Sequence, residues 1–219
     1  MSVAGLIPMK GHSERVPGKN LRPIAGKPLF HWIAESLIGA ETVDEVIVDT
    51  DSDEIEAAVI AAFPSVIVHR RPERLHGDMV PMHDVVAEVA RSVVHDHVLQ
   101  THATNPLLRS RTVDAAIAAF LEPGPHDSLM SVTSLQTRFY FRDGRPVNHD
   151  PAVLVRTQDL DPIYEENSNI YIASRELILT TGQRIGGKPL LFPTPREEAV
   201  DIDEELDFMV AEFLLERHG

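Results

Sequence analysis

Residues 3–28 read VAGLIPMKGHSERVPGKNLRPIAGKP, and the way this stretch divides into elements decides the fold. The apolar run Val3–Met9 has the length and composition of a buried strand. After it comes a Gly-Lys pair, Gly18-Lys19, which raises the question of a phosphate-cradling P-loop. That pattern needs four residues between its glycines and a Ser or Thr after the lysine. Here six residues separate Gly11 from Gly18, and Asn20 follows Lys19. A P-loop also runs straight into a helix whose N-terminal amides face the phosphate, whereas Pro23 and Pro28 forbid a helix through LRPIAGKP. The stretch is therefore a long basic loop between a strand and a helix that opens near Pro28.

Outward from this loop the apolar periodicity alternates. Helical patterns cover PLFHWIAESLIGA, SDEIEAAVIAAF with Ser52 as N-cap, MHDVVAEVARSVV, SRTVDAAIAAFLE, SRELILTT and ELDFMVAEFLLERH. Strand patterns cover DEVIVDT, SVIVHR, HVLQTHA, SLMSVTSLQ, NIYIAS and PLLFP. This β-α order predicts an α/β, Rossmann-like three-layer sandwich with a mostly parallel sheet. The pattern breaks over residues 137–166, where a hairpin is expected around Asp143-Gly144 and prolines punctuate extended chain. No repeat or linker divides the sequence, so residues 1–219 read as one domain with that excursion.

The 219 residues suffice for one full α/β domain. There is no cysteine, which excludes disulfides, thiolate zinc sites and thiol nucleophiles. A net charge of −14 argues against a nucleic-acid binder, and no apolar run reaches the length of a membrane span. The start MSVAGLIPM lacks the basic opening of a signal peptide, so a cytoplasmic location is expected. Against the acidic background, Lys10, Arg15, Lys19, Arg22 and Lys27 crowd one segment opposed only by Glu14. A small anionic ligand suits such a loop better than a polymer does, although a solvated surface loop would carry the same charges.

In an open parallel sheet ligands sit beyond the carboxyl ends of the strands. The basic loop, Asp49-Thr50-Asp51 and Thr101–Pro106 should therefore converge. Gly11 and Gly18 let backbone amides approach phosphate oxygens, Ser13 adds a hydroxyl, and Lys10, Arg15 and Lys19 add charge. Asp201 and Asp203 stand two apart, so an extended segment would point both to one side, as a hard cation such as Mg2+ requires. Capping of the last helix would account for Asp203 equally well. The histidines show no metal-ligand spacing, and no G-x-S-x-G elbow is present.

Several segments together resemble the N-acylneuraminate cytidylyltransferases and, more loosely, the 3-deoxy-manno-octulosonate cytidylyltransferases. They are IPMKGHSERVPGKNLRPIAGKPL, VDTDSDEI, RRPERLHGD, THATNPLLR, NSNIYIAS and VDIDEELDFMVAE, in that order along nearly the whole chain. The resemblance implies transfer of CMP from CTP to an acidic sugar, with Mg2+ and release of pyrophosphate. It implies that Lys10, Gly11, Ser13, Arg15, Lys19, Asn20, Asp51 and Arg71 hold the nucleotide, with Lys10, Lys19 and Asp201 catalytic. Asp201 and Asp203 would hold the metal. His102, Thr104, Asn105, Arg156, Glu165 and Asn167 would meet the acceptor, and the 137–166 excursion would make a homodimer.

The acceptor segments depart from the sialate pattern. His102 replaces a glutamine, and Glu165-Glu166-Asn167-Ser168 replaces Arg-Pro-Asn-Gly. Glutamate in place of arginine favours a different nonulosonate, an amino-substituted ulosonate or an aminophosphonate over plain N-acetylneuraminate. A glycosyltransferase with a metal-bound Asp pair and a catalytically silent nucleotide-binding protein are the other readings of the same residues.

Overall fold

The computed structural model describes residues 1–13 and 16–217 and the backbone of His218. In chain order the elements are β1 (Val3–Met9), β2 (Pro23–Ile24), β3 (Lys27–Pro28), α1 (Leu29–Ile38), β4 (Glu45–Thr50), α2 (Asp53–Ala62), β5 (Ile67–Arg70) and α3 (Met82–Ser92). They continue with β6 (His97–Gln100), α4 (Ser110–Leu121), β7 (Ser128–Leu135), β8 (Ile163–Ser174), α5 (Arg175–Thr181), β9 (Pro189–Pro193) and α6 (Glu205–His218).

Seven strands form one sheet in the order β5-β4-β1-β6-β8-β7-β9. All run parallel except β8, which is antiparallel to both β6 and β7. Every residue of β1 is buried, as a central strand covered on both faces must be. Its side chains alternate accordingly. Val3, Ile7 and Met9 pack with Phe30, Ile33 and Leu37 of α1 and with Val113 and Ile117 of α4. Ala4 and Leu6 face Val86, Val89 and Ala90 of α3 and Ile178 of α5. A third cluster seats α6 through Phe208, Ala211 and Leu215 on Ile24, Leu29, Leu107 and Ile202. The N-cap expected of Ser52 is present, its hydroxyl accepting from the Ile55 amide at 3.3 Å.

From β1 the chain moves to β4 and β5 on one side and then crosses to β6 on the other. The strand order therefore reverses between β1 and β6, and the crevice there is the natural ligand site of an open α/β sheet.

Two differences from the sequence reading concern β8. The strand starts at Ile163, six residues before the apolar NIYIAS segment, because its first half is the polar, half-exposed run that pairs Ile163–Glu166 with β7. The excursion proper is thus residues 136–162. Its tip is the expected hairpin, closed by Phe141 and Arg145 around Gly144 at φ 84°. Midway along β8 the pairing steps from Met130–Tyr171 to Val132–Glu166, so the strand bulges. Asn167 fixes the bulge. Its Nδ2 donates to Thr194 Oγ1 (2.7 Å) and Thr133 Oγ1 (3.2 Å), and its Oδ1 accepts from Ser131 Oγ (2.7 Å).

Leu6, fully buried in the middle of β1, tests this packing. Leu6→Ala should lower the unfolding free energy by about 2–5 kcal/mol in urea titrations. Ile60→Ala, on the exposed side of α2, should stay within about 0.5 kcal/mol of the parent.

Candidate active site

A cavity of about 320 Å³ opens at the β1/β6 switch point, a size that suits a nucleotide-scale ligand. It is lined by Lys10, Ser13, Lys19 and Asn20 from the first loop, Arg71 and Asp78 after β5, and His102 and Thr104 after β6. The expected convergence of loops from separate strands is what the structure shows.

The basic loop is held from three directions. The Gly11 amide donates to Asp51 Oδ1 at 2.6 Å, and a Cβ on Gly11 would lie only 2.8 Å from that of Ser52, so this approach requires glycine. Asn20 Nδ2 donates back to the Lys10 carbonyl at 3.1 Å. Lys19 Nζ donates to the Ile202 carbonyl at 2.5 Å, linking the loop to the acidic segment near the end of the chain. Gly18 turns the chain at φ 64° to start the short 3-10 turn that carries Lys19 and Asn20. Arg15 lies outside the described residues.

Arg71 enters the cavity floor already paired. Both Nε and a terminal nitrogen lie 2.6 Å from Asp49 Oδ1, while His69 Nδ1 takes the other carboxylate oxygen at 2.8 Å. Asp49 and Arg71 are both buried, so the pair fixes the direction of the guanidinium. At the mouth Lys10 pairs with Asp78. The opposite wall is made by His102. Gln100 Nε2 donates to its Nε2 at 2.8 Å, which leaves the ring proton on Nδ1. Burial pushes the imidazole down to about 4, with Arg184 and Lys19 adding to the effect, so the ring is neutral at neutral pH.

Asp201 and Asp203 flank Ile202, which is fully buried while they are half-exposed, the alternation of an extended segment. The Ile202 amide donates to the Thr104 carbonyl at 2.9 Å, placing the acidic pair beside the β6 loop. Burial raises the Asp201 carboxyl above the usual carboxylate range. Thr104 and Lys19 oppose the rise, and Asp203 and Asp207 add to it. One Asp201 oxygen, Oδ1, is buried without a hydrogen-bond partner. A half-buried carboxylate with an unpartnered oxygen beside a second carboxylate fits a divalent cation. Among the described residues no group of three or more His, Cys, Asp or Glu could hold a metal. The donor set is the sparse one that Mg2+ takes when phosphate and water complete its shell.

The remaining candidates are placed elsewhere. Asp51 shapes the loop through Gly11 and does not line the cavity. Asn105 is buried and ties the β6 loop to the Val200 carbonyl at 3.4 Å. Asn167 has its amide engaged within the sheet, as described above. Glu165 is exposed opposite Thr133 on β8, and Arg156 is an exposed partner of Asp159 in the excursion; neither lines the cavity. The sequence marks Asp49 only as part of a strand-end cluster, and nothing in it marks Asp78, Gln100 or Arg184. Asp49 looks like an ordinary strand-end turn residue in sequence, and Arg184 sits in GQRIGGK with no motif around it.

The cytidylyltransferase family profile matches residues 4–212. N-acylneuraminate cytidylyltransferase A of Danio rerio is 31% identical over 99% of this chain, which spans 51% of that relative's length. The CMP-N,N'-diacetyllegionaminic acid synthase of Legionella pneumophila is 28% identical, over 99% of this chain and 97% of its own. The chain thus spans about half the length of the fish relative but nearly all of the bacterial one. Among solved structures, a CMP:2-keto-3-deoxy-manno-octonic acid synthetase complexed with CTP superposes with a TM-score of 0.75 at 17% identity, covering 100% of both chains, a likeness of fold.

His102 gives this site a pH signature. Its NMR titration should show a neutral ring down to about pH 4, and a midpoint near the ordinary 6.5 would contradict the burial described. The unfolded ring binds its proton first, so the stability tied to a neutral His102 is complete above pH 6.5 and is lost as pH falls toward about 4. His102→Asn should flatten that part of the stability profile.

Proposed function

Because this chain belongs to the cytidylyltransferase family, we propose that it transfers CMP from CTP to the hydroxyl of an acidic ulosonate sugar and releases pyrophosphate. The observation that carries this reading is the joint placement of Lys10, Ser13, Lys19, Asn20, Arg71 and Thr104 around one cavity, with Asp201 bonded to Thr104. Phosphoryl and nucleotidyl transfer depend mostly on positioning and electrostatics. Lys10 and Lys19 supply the positive charge for a triphosphate, and Ser13 and the adjacent amides supply donors. Arg71, fixed by Asp49, marks the inner end of the nucleotide subsite. The acceptor hydroxyl gives up its proton to water, its oxygen attacks the α-phosphorus, the bond from that phosphorus to the oxygen bridging to the β-phosphate breaks, and pyrophosphate departs.

Asp201 and Asp203 would hold Mg2+, which would supply neutralising charge for the pyrophosphate leaving group. Lys19, bonded to the carbonyl between the two aspartates, keeps the lysine and the acidic pair in register. Nucleotide and acceptor are small soluble molecules, which fits a cytoplasmic enzyme. The excursion exposes Tyr140, Phe141, Val153 and Leu154, with Leu154 95% exposed, and this apolar set supports a homodimer made through it.

Pyrophosphate release should require Mg2+, CTP in preference to ATP, GTP or UTP, and a ulosonate acceptor, and chelation should abolish it. Lys19→Ala and Asp201→Asn should each lower kcat/KM about 100-fold or more. CTP binding with no release across a panel of ulosonates and aminophosphonates would overturn the transferase reading in favour of a nucleotide-binding protein. For the assembly, sedimentation equilibrium should give a dimer that Leu154→Asp with Tyr140→Ser converts to monomer; an unchanged mass would place the contact elsewhere.

A further inference from the structure

The transferase reading leaves open which side chain meets the acceptor's carboxylate. In that reading Lys10 and Lys19 serve the triphosphate and Arg71 the nucleotide, and each is already oriented by a partner. Lys10 pairs with Asp78, Arg71 with Asp49, and Lys19 donates to Ile202. Arg156 is 72% exposed, bonded to Asp159 through both Nε and a terminal nitrogen, and away from the cavity.

Arg184, on the connection from α5 to β9, is different. Its side chain is 20% exposed, and its guanidinium carbon lies 3.7 Å from the centre of the Tyr171 ring. One terminal nitrogen donates to Gln100 Oε1 at 2.6 Å. Its nearest carboxylate, Glu166, stands 4.0 Å away, beyond hydrogen-bond distance. Glu166 is instead bound by the Tyr171 hydroxyl, which also lies 3.2 Å from Ser168 Oγ. Burial pushes that hydroxyl up to about 12, so it stays protonated and keeps donating. The β8 bulge brings Glu166, Ser168 and Tyr171 together. Arg184 does not itself line the cavity; Gln100 bridges it to His102, which does, so the guanidinium stands directly behind that wall. Burial also lowers the Arg184 guanidinium below its ordinary value, since it is desolvated with no carboxylate in hydrogen-bond contact.

We propose that Arg184 is the specificity-determining residue that receives the acceptor's carboxylate, with Gln100 orienting the guanidinium and Tyr171 supporting it. A planar guanidinium with unused donors matches a carboxylate in a two-point bond. Neutral His102 beside it adds no competing charge. The proposal rests on the transferase reading given above and names the acceptor contact within it.

The test compares wild type, Arg184→Gln and Arg184→Lys in the pyrophosphate-release assay, with CTP affinity measured separately by calorimetry. Arg184→Gln should raise the acceptor KM about 30-fold or more while leaving CTP affinity within about twofold and kcat little changed, the pattern of lost ground-state binding. Arg184→Lys should fall between. An unchanged acceptor KM, or parallel loss of acceptor and CTP binding, would overturn the assignment. A second arm does not depend on the variants folding. Wild type offered the same acceptor as its carboxamide should lose a comparable factor, and equal turnover of acid and amide would refute a carboxylate contact. Absence of wild-type turnover with every acceptor would instead refute the transferase reading.

Discussion

The hydrogen bond from Lys19 to the carbonyl of Ile202 joins segments 183 residues apart, and the site depends on it. On one side it holds a basic loop too long to order itself; on the other it fixes the backbone between two aspartates. Ile202 is anchored independently, its side chain packed with Phe208, Ala211 and Leu215 and its amide bonded to Thr104. The last helix therefore serves the first loop. Without its apolar seat, the acidic pair would have no fixed distance from the lysine.

Charge in this site is arranged by burial as much as by pairing. Arg71 is locked by Asp49, so its direction is settled before any ligand arrives. Asp201 is raised by desolvation and keeps an unpartnered oxygen, whereas His102 is kept neutral by the same physical cause acting on the opposite sign of charge. Burial thus disfavours the charged form of both groups, leaving Asp201 in need of a cation and His102 without a charge of its own.

Much of this was legible in the sequence because it rests on period and punctuation. Val3–Met9, the prolines at 23 and 28, and the Ser52 cap placed the strand, loop and helices where they lie. The loop clusters at strand ends announced the cavity, and the spacing of Asp201 and Asp203 announced the acidic pair. The start of β8 was hidden because Ile163–Glu166 pairs in the sheet with a half-exposed, charged sequence that has no apolar alternation. Asn167 looked like a ligand-facing amide, but a bulge brings it under Ser131 and Thr194, and local sequence does not announce a bulge. Arg184 acquires meaning only when β8 delivers Tyr171 beneath it, a tertiary relation between separate elements.

The reversed direction of β8 has a geometric effect. Its end, Ser174, pairs with the start of β6, so its beginning projects past Gln100 on the same edge of the sheet as the cavity. The excursion is therefore delivered beside the cavity on one strand that runs, through its bulge, from Tyr171 to Ile163. Strand side chains alternate, so inserting or deleting one residue here would exchange the inward and outward faces of everything upstream. β8 works as a ruler, making the position of the excursion and the seat of Tyr171 against His102 a single inherited dimension.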